Sequence, residues 1–219
     1  MIIDPRMATF IDSMDPGNPA YLDELEKEAL AGEIPIIRKP LQSFFRFLLK
    51  YVKPRSILEV GTAIGFSAIL MSEYAPADCK ITTIEKYEKR IPVAKENFRK
   101  YGKEAQIELL EGDAAEILKE LSGPYDLIFM DAAKGQYLAF LPEVLRLMAP
   151  GGLLLSDNVL QDGDVIESRF ALERRKRTTH ARMREYLYEL KHLPGFETVI
   201  LPVGDGITLT TKLDAKSLS

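Results

Sequence analysis

The chain contains no tryptophan, one cysteine and two histidines among 219 residues. A single thiol, Cys79, excludes an internal disulfide and is too few for a cysteine-based zinc site, which agrees with a reducing compartment. With only His180 and His192 to supply imidazole, any bound metal has to rely on oxygen ligands. Apolar runs of membrane-spanning length are missing as well. Met1-Ile2-Ile3-Asp4-Pro5 carries no basic segment followed by an apolar core, so neither a membrane span nor a leader is expected, and the chain reads as cytoplasmic. The net charge of −4 argues against a protein coated in nucleic acid.

What is present suits one compact domain. An apolar fraction of 46% and a charged fraction of 28% exclude collagen-like, coiled-coil and disordered chains. A chain of this length buries about 70% of its unfolded surface on folding. The small net charge hides one asymmetry: residues 169–184 hold seven Lys/Arg against one Glu, or +6, which leaves −10 on the remainder.

Helical spacing dominates the first fifty residues. After the turn cluster Asp15-Pro16-Gly17-Asn18-Pro19, Leu22, Leu25 and Ala29 share a face until Gly32. Leu41, Phe44, Phe45, Leu48, Leu49 and Val52 then form a wide apolar stripe closed by Pro54. From residue 56 the texture changes to short apolar runs at Ile57–Val60, Ile81–Ile84, Ile107–Leu110, Leu127–Met130 and Leu153–Leu155, with starts 20 to 26 residues apart. That interval accommodates a strand, a crossover helix and two loops, so it predicts five parallel strands buried on both faces. Between them Phe66, Ile69 and Leu70, and later Leu138, Leu141, Leu145 and Met148, predict helix faces, the second ended by Pro150-Gly151-Gly152. Phe196–Leu201 and Ile207–Thr211 are joined only by Pro202-Val203-Gly204-Asp205-Gly206, which makes them an antiparallel hairpin. A dinucleotide-binding sheet ends on a parallel strand; a methyltransferase sheet ends on such a hairpin.

The loop Glu59-Val60-Gly61-Thr62-Ala63-Ile64-Gly65-Phe66-Ser67 leaves the first strand and opens a helix. It is G-x-x-x-G rather than G-x-G-x-x-G. The missing middle glycine weakens a pyrophosphate reading, and Glu59 would repel phosphate while suiting the cationic amino-acid end of S-adenosylmethionine. Glu85 ends the second strand, where a carboxylate accepts the two hydroxyls of a ribose or merely sits at a helix start. Gly112-Asp113-Ala114 ends the third; Asp113 either accepts from an adenine amine or caps the next helix. The fourth and fifth strands end at Asp131 and at Asp157-Asn158, so two carboxylates and one amide oxygen reach one crevice. That set suits a hard cation such as Mg²⁺ or Mn²⁺; the competing reading is a loop cap and an Asx turn. Lys134, three residues past Asp131, is either a surface charge or, beside a cation that disfavours its own, a base.

Taken together, Glu59-Val60-Gly61-x-x-x-Gly65-x-Ser67, Glu85, Gly112-Asp113-Ala114, Asp131-x-x-Lys134 and Asp157-Asn158 resemble the cation-dependent class I O-methyltransferases of the catechol and caffeoyl-CoA type, over roughly residues 34–212. The resemblance implies an α/β fold: a Rossmann-like class I methyltransferase sheet of five parallel strands plus a C-terminal antiparallel hairpin. A helical extension (1–53) would precede a catalytic core (54–212) in one domain. It also implies that Ile37, Glu59, Gly61, Ser67, Glu85, Gly112, Asp113 and Asp131 bind S-adenosylmethionine. Asp131, Asp157 and Asn158 would hold Mg²⁺ or Mn²⁺, and Lys134 would take or orient a proton. Many caffeoyl-CoA enzymes read Asp-Ala-Asp-Lys where this chain has Asp131-Ala132-Ala133-Lys134, which argues against a plant-like phenylpropanoid acceptor.

The basic run Arg174-Arg175-Lys176-Arg177 and the ending Pro202–Gly206 look like the bacterial branch that methylates 5-hydroxyuridine in tRNA anticodons. Four consecutive cations on an acidic protein favour a polyanion as partner over plain solvation. The 5-hydroxyl and 4-carbonyl of that base are vicinal oxygens like those of a catechol, and a wobble base is reached without opening a duplex. The alternatives are a small phenolic acceptor, with the run serving an acidic group such as a coenzyme A ester, and a non-catalytic RNA-binding module. The wide stripe of the helical extension, as in relatives that are often dimers, points to a homodimer.

Overall fold

The computed structural model describes residues 3–213; the Met1-Ile2 start lies outside the described residues. Strands β1 (Ser56–Val60), β2 (Lys80–Glu85), β3 (Ile107–Glu111), β4 (Tyr125–Met130), β5 (Met148–Ser156), β6 (Phe196–Leu201) and β7 (Ile207–Lys212) form one sheet in the order β3-β2-β1-β4-β5-β7-β6. β1 to β5 pair in parallel, and β7 runs antiparallel to both β5 and β6. This is the expected Rossmann-like methyltransferase sheet with its closing hairpin.

Alternation along the strands builds two cores. Ile57, Ile81, Leu127, Phe129 and Leu155 face one side, with Leu22 and Leu25 of α2 (Ala20–Ala31), Leu41, Phe45 and Leu49 of α3 (Lys39–Val52) and Ile69 of α4 (Phe66–Tyr74). α5 (Ile91–Lys100) adds Phe98 to this layer. Leu58, Val60, Ile128, Met130 and Leu154 face the other side. There they meet Leu118 of α6 (Ala114–Glu120), Val144 of α7 (Tyr137–Leu147) and Met183, Tyr186 and Leu190 of α8 (Arg177–His192). Each such residue taken out of water contributes roughly 1.5–3 kcal/mol, and the strands read as continuous apolar runs because neither face is wet.

One boundary differs from expectation. The helix ends at Leu147, not at Pro150-Gly151-Gly152, because Met148 opens β5 by pairing with Tyr125. The Pro-Gly-Gly segment lies inside that strand, where the register shifts between Tyr125 and Leu127. A Cβ on Gly152 would lie 2.8 Å from the Ala149 carbonyl oxygen, so the glycine is needed for the irregularity. The buried face of α7 is accordingly Tyr137, Phe140, Leu141, Val144 and Leu147.

The first helix, α1 (Pro5–Ser13), buries no side chain in its own chain. Met7, Phe10 and Ile11, with Met14 just beyond, are each more than half exposed, as are Phe47 and Tyr51 on α3. An apolar groove containing Ile11, Met14, Phe44, Phe47 and Val203 runs beside the helix.

Candidate active site

Strand order reverses between β1 and β4, which opens a crevice where their following loops part. A cavity of about 350 Å³ occupies it, within the usual range for small ligands. Its wall includes Ile37, Gly61, Ser67, Glu85, Gly112 and Asp113, joined by Asp131, Lys134 and Asn158. Glu59 and Asp157 lie behind that wall, 0% and 4% exposed.

Both glycines of the first loop are demanded by the chain's own packing. At Gly61, φ is 108° and a Cβ would stand 2.2 Å from the Asp131 carbonyl oxygen; at Gly65, φ is 86° and a Cβ would stand 2.5 Å from the Phe98 ring. The close approach that the sequence reading assigned to a ligand is therefore made first by protein. Beneath the loop Glu59 accepts from the Thr83 hydroxyl at 2.5 Å, and Thr83 also meets Thr62 at 2.6 Å. Burial pushes the Glu59 carboxyl up to about 8, with a smaller push from Asp131 and Glu85.

Glu85 is held rigidly. Its Oε2 accepts the Ala63 amide at 2.8 Å, and its Oε1 accepts the amides of Lys86 at 3.0 Å and Tyr87 at 2.8 Å. Acceptor capacity remains on Oε2 for a sugar hydroxyl. Asp113 realises the capping reading: Oδ1 accepts the Ala115 amide at 2.9 Å at the start of α6, and Oδ2 pairs with Lys86 at 3.3 Å. It faces the cavity as well.

The two aspartates are delivered side by side. Met130 of β4 lies opposite Ser156 of β5, and the next amides continue the ladder, Asp157 N–H to the Met130 carbonyl and Asp131 N–H to the Val60 carbonyl, both at 3.0 Å. Burial raises both carboxyls above the usual carboxylate range; the Asp131 charge raises Asp157 further, and Lys134 opposes both shifts. Asn158 follows in the left-handed region, φ 54°, and its amide donates to Asp157 Oδ1 at 2.6 Å, a bond to the adjacent residue rather than the i to i+2 bond of an Asx turn. Buried like charges are unstable without a counter-charge. Two carboxylates and an amide oxygen are hard donors, so these residues fit Mg²⁺ or Mn²⁺. Among the described residues no group of three His, Cys, Asp or Glu gathers as a ready metal cage, which leaves the Asn158 amide as third donor.

Three site residues escaped the sequence reading. Asp205, 3% exposed, stands in the β6–β7 turn, and its charge also raises Asp157. The signal was available: a hairpin added antiparallel to β5 returns its turn to the carboxyl ends of the parallel strands. Arg38, just before α3, donates to both carboxylate oxygens of Asp162 at 3.1 and 3.2 Å, and the Asp162 amide donates to Asp205 Oδ1.

The basic run does not stand as four uncompensated charges. Arg174, Arg175 and Lys176 form a short 3-10 turn and Arg177 opens α8. Arg175 pairs with Glu173 at 2.7 Å and Lys176 with Asp164 at 2.8 Å. Arg177 donates to the carbonyls of Leu172 and Phe170 at 3.1 and 3.4 Å. Arg174 is exposed, as are Arg169 and Phe170 nearby, the last at 84%.

A family model described as O-methyltransferase matches residues 12–213. A catechol O-methyltransferase of Niastella koreensis is 36% identical over 153 residues, covering 68% of this chain and 69% of that protein. Caffeoyl-CoA O-methyltransferase 2 of Populus trichocarpa is 33% identical, covering 78% of this chain and 72% of that protein. The crystal structure of the SAH-bound Podospora anserina methyltransferase PaMTH1 superposes with a TM-score of 0.86 at 29% identity, covering 95% and 94% of the two chains. With the strand order, the cavity at the switch point and the paired aspartates, these likenesses give the conclusion: the chain belongs to the O-methyltransferase family of the catechol and caffeoyl-CoA type and is an S-adenosylmethionine-dependent O-methyltransferase.

Proposed function

We propose that this enzyme is divalent-cation-dependent and methylates a hydroxyl that has a second oxygen vicinal to it, and that its acceptor is 5-hydroxyuridine at the wobble position of a tRNA anticodon. The observation that carries the cation is the buried Asp157, pushed up further by the charge of Asp131 on the cavity wall, with Asn158 beside them. Those three residues would hold the ion, which when bound supplies a positive charge that favours the ionised acceptor oxygen and fixes its direction. Lys134, half-buried on the same wall, is placed to receive or steer the hydroxyl proton. Glu85 presents a fixed carboxylate to the ribose of the methyl donor, and Ile37, 3% exposed, covers that ligand from the helical extension. With acceptor and donor so held, the ionised oxygen attacks the sulfonium methyl in line, the methyl C–S bond breaks as the O–C bond forms, and S-adenosylhomocysteine leaves as a neutral thioether; orientation accounts for much of the rate gain.

The tRNA assignment rests on the rim. Arg174, Arg175 and Lys176 precede the amino end of α8, which has no acidic residue in its first turn and no side-chain cap. Cations there oppose the helix dipole by roughly 0.3–1 kcal/mol each, an arrangement that an anion relieves. The Arg175–Glu173 pair is exposed at both ends, 80% and 62%, and such pairs contribute at most about 1 kcal/mol, so a phosphate can replace Glu173. Exposed Phe170 offers a face for a base to stack on.

A small vicinal phenol is the second reading, favoured by the names of the catechol and caffeoyl-CoA relatives. Labelled methyl donor offered to undermodified tRNA and to a catechol panel separates the two. Asp157→Ala is expected to lower transfer to either acceptor by about 10–100-fold or more. Arg174→Glu with Arg175→Glu is expected to lower tRNA methylation by at least roughly tenfold and to flatten its salt dependence, sparing a simple catechol. Equal loss on both acceptors would count against RNA.

A further inference from the structure

Tyr137, the first residue of α7, is 1% exposed, yet its hydroxyl ends between two strand tips. It lies 3.1 Å from the Met130 carbonyl oxygen and 3.0 Å from the Asp157 carbonyl oxygen. Met130 immediately precedes Asp131; Asp157 immediately precedes Asn158. One phenol thus spans the last peptides of β4 and β5, the two strands that carry the proposed cation ligands. Its ring is in turn set edge-on to Tyr186 of α8, centroids 5.4 Å apart at 73°, and the Tyr186 hydroxyl meets Ser156 Oγ at 2.6 Å. The function described above gives the Tyr137 hydroxyl no role, and a phenol this deeply buried requires polar partners.

We infer that Tyr137 is a positioning residue: its hydroxyl pins the ends of β4 and β5 so that Asp131, Asp157 and Asn158 converge on one cation. The inference rests on the cation reading. Past their last paired residues two neighbouring strands are free to splay. The left-handed backbone at Asn158 makes the Asp157–Asn158 peptide the element whose orientation decides where the Asn158 amide points. The single hydroxyl proton is shared between the two carbonyls: its hold on the Asp157 carbonyl fixes that peptide plane, and its hold on the Met130 carbonyl references it to the strand carrying Asp131. Partners that orient metal ligands from behind are commonly worth about 10–100-fold in metal affinity.

The test is Mn²⁺ binding by electron paramagnetic resonance to wild type, Tyr137→Phe and Tyr186→Phe, with S-adenosylmethionine affinity and thermal unfolding measured on the same preparations. Tyr186→Phe is the control. It also removes a buried hydroxyl from this aromatic pair but breaks no bond to the carbonyls of Met130 or Asp157. The expected result is Mn²⁺ affinity weakened about tenfold in Tyr137→Phe, unchanged in Tyr186→Phe, S-adenosylmethionine affinity unchanged in both, and kcat of Tyr137→Phe restored by excess metal. Equal Mn²⁺ affinity in Tyr137→Phe and wild type, or equal weakening in both variants, overturns the positioning role while leaving the cation site standing. A wild type that binds no Mn²⁺ removes the cation reading itself, and this inference with it.

Discussion

Glu59 sits wholly inside the protein with a carboxyl that burial pushes up to about 8, so around neutrality it is largely a neutral acid. Between 4.5 and about 8 the folded chain binds more protons at this residue than the unfolded chain does, and stability contributed here falls as pH rises across that window. Glu59→Gln keeps the shape and removes the titration. It is expected to raise the unfolding free energy near pH 8 by on the order of a few kcal/mol, seen as a higher unfolding temperature, and to have little benefit below pH 4.5. Melting curves from pH 5 to 8 for both proteins check this; an unchanged slope in the variant would sink the assignment. The sequence placed Glu59 near the end of β1 and did not show that its carboxyl is wholly enclosed. A strand-end residue can belong to the crevice or to the layer beneath it, and one-dimensional spacing does not separate the two. The wall positions of Glu85 and Asp131 were legible because residues at, or just past, the end of a buried parallel strand emerge at its carboxyl end.

Among the described residues, the segment after β5 holds three of the six non-glycine residues with positive φ. Asn158, Gln161 and Asp162 all have φ between 52° and 54°, and left-handed backbone at non-glycine residues persists only where surroundings hold it. Arg38 is one such holder, through its two bonds to Asp162. The pair is about half exposed at both ends, so its contribution to global stability is at most about 1 kcal/mol. Its local effect is larger, because it ties the loop to the helical extension. Arg38→Met is expected to shift the melting temperature little while accelerating amide exchange across residues 158–166, read by mass spectrometry; exchange that stays at the wild-type rate would refute the tie. None of this was visible in sequence, since Arg38 and Asp162 are 124 residues apart. The α7–β5 boundary was misread for a related reason: Pro-Gly-Gly ends a helix in isolation, whereas pairing of Met148 with Tyr125 is a tertiary event. The central strand runs were readable because they are buried along almost their whole length; the pairing of Lys176 was not, because its acidic partner Asp164 is 12 residues away.

At the scale of the whole molecule, the sheet order follows from repeated strand–helix units and right-handed crossovers, and the site falls where that order reverses. The surface was less legible: the apolar stripe of α3 packs inward as anticipated, but α1 and the outer residues Phe47 and Tyr51 leave a second apolar face uncovered. An apolar ridge beside an apolar groove is self-complementary under a two-fold axis, and we infer that a second copy covers it. Light scattering is expected to give twice the chain mass for wild type and the single-chain mass for Phe10→Asp with Phe47→Asp; a wild type that runs as a single chain at micromolar concentration would dispose of the pairing.

Arg38, Asp162 and Asp205 meet at one opening although they come from opposite thirds of the polypeptide. Each is held by a different part of the chain, the helical extension, the loop after β5 and the β6–β7 turn, so loosening any one of the three reaches the Asp157 end of β5.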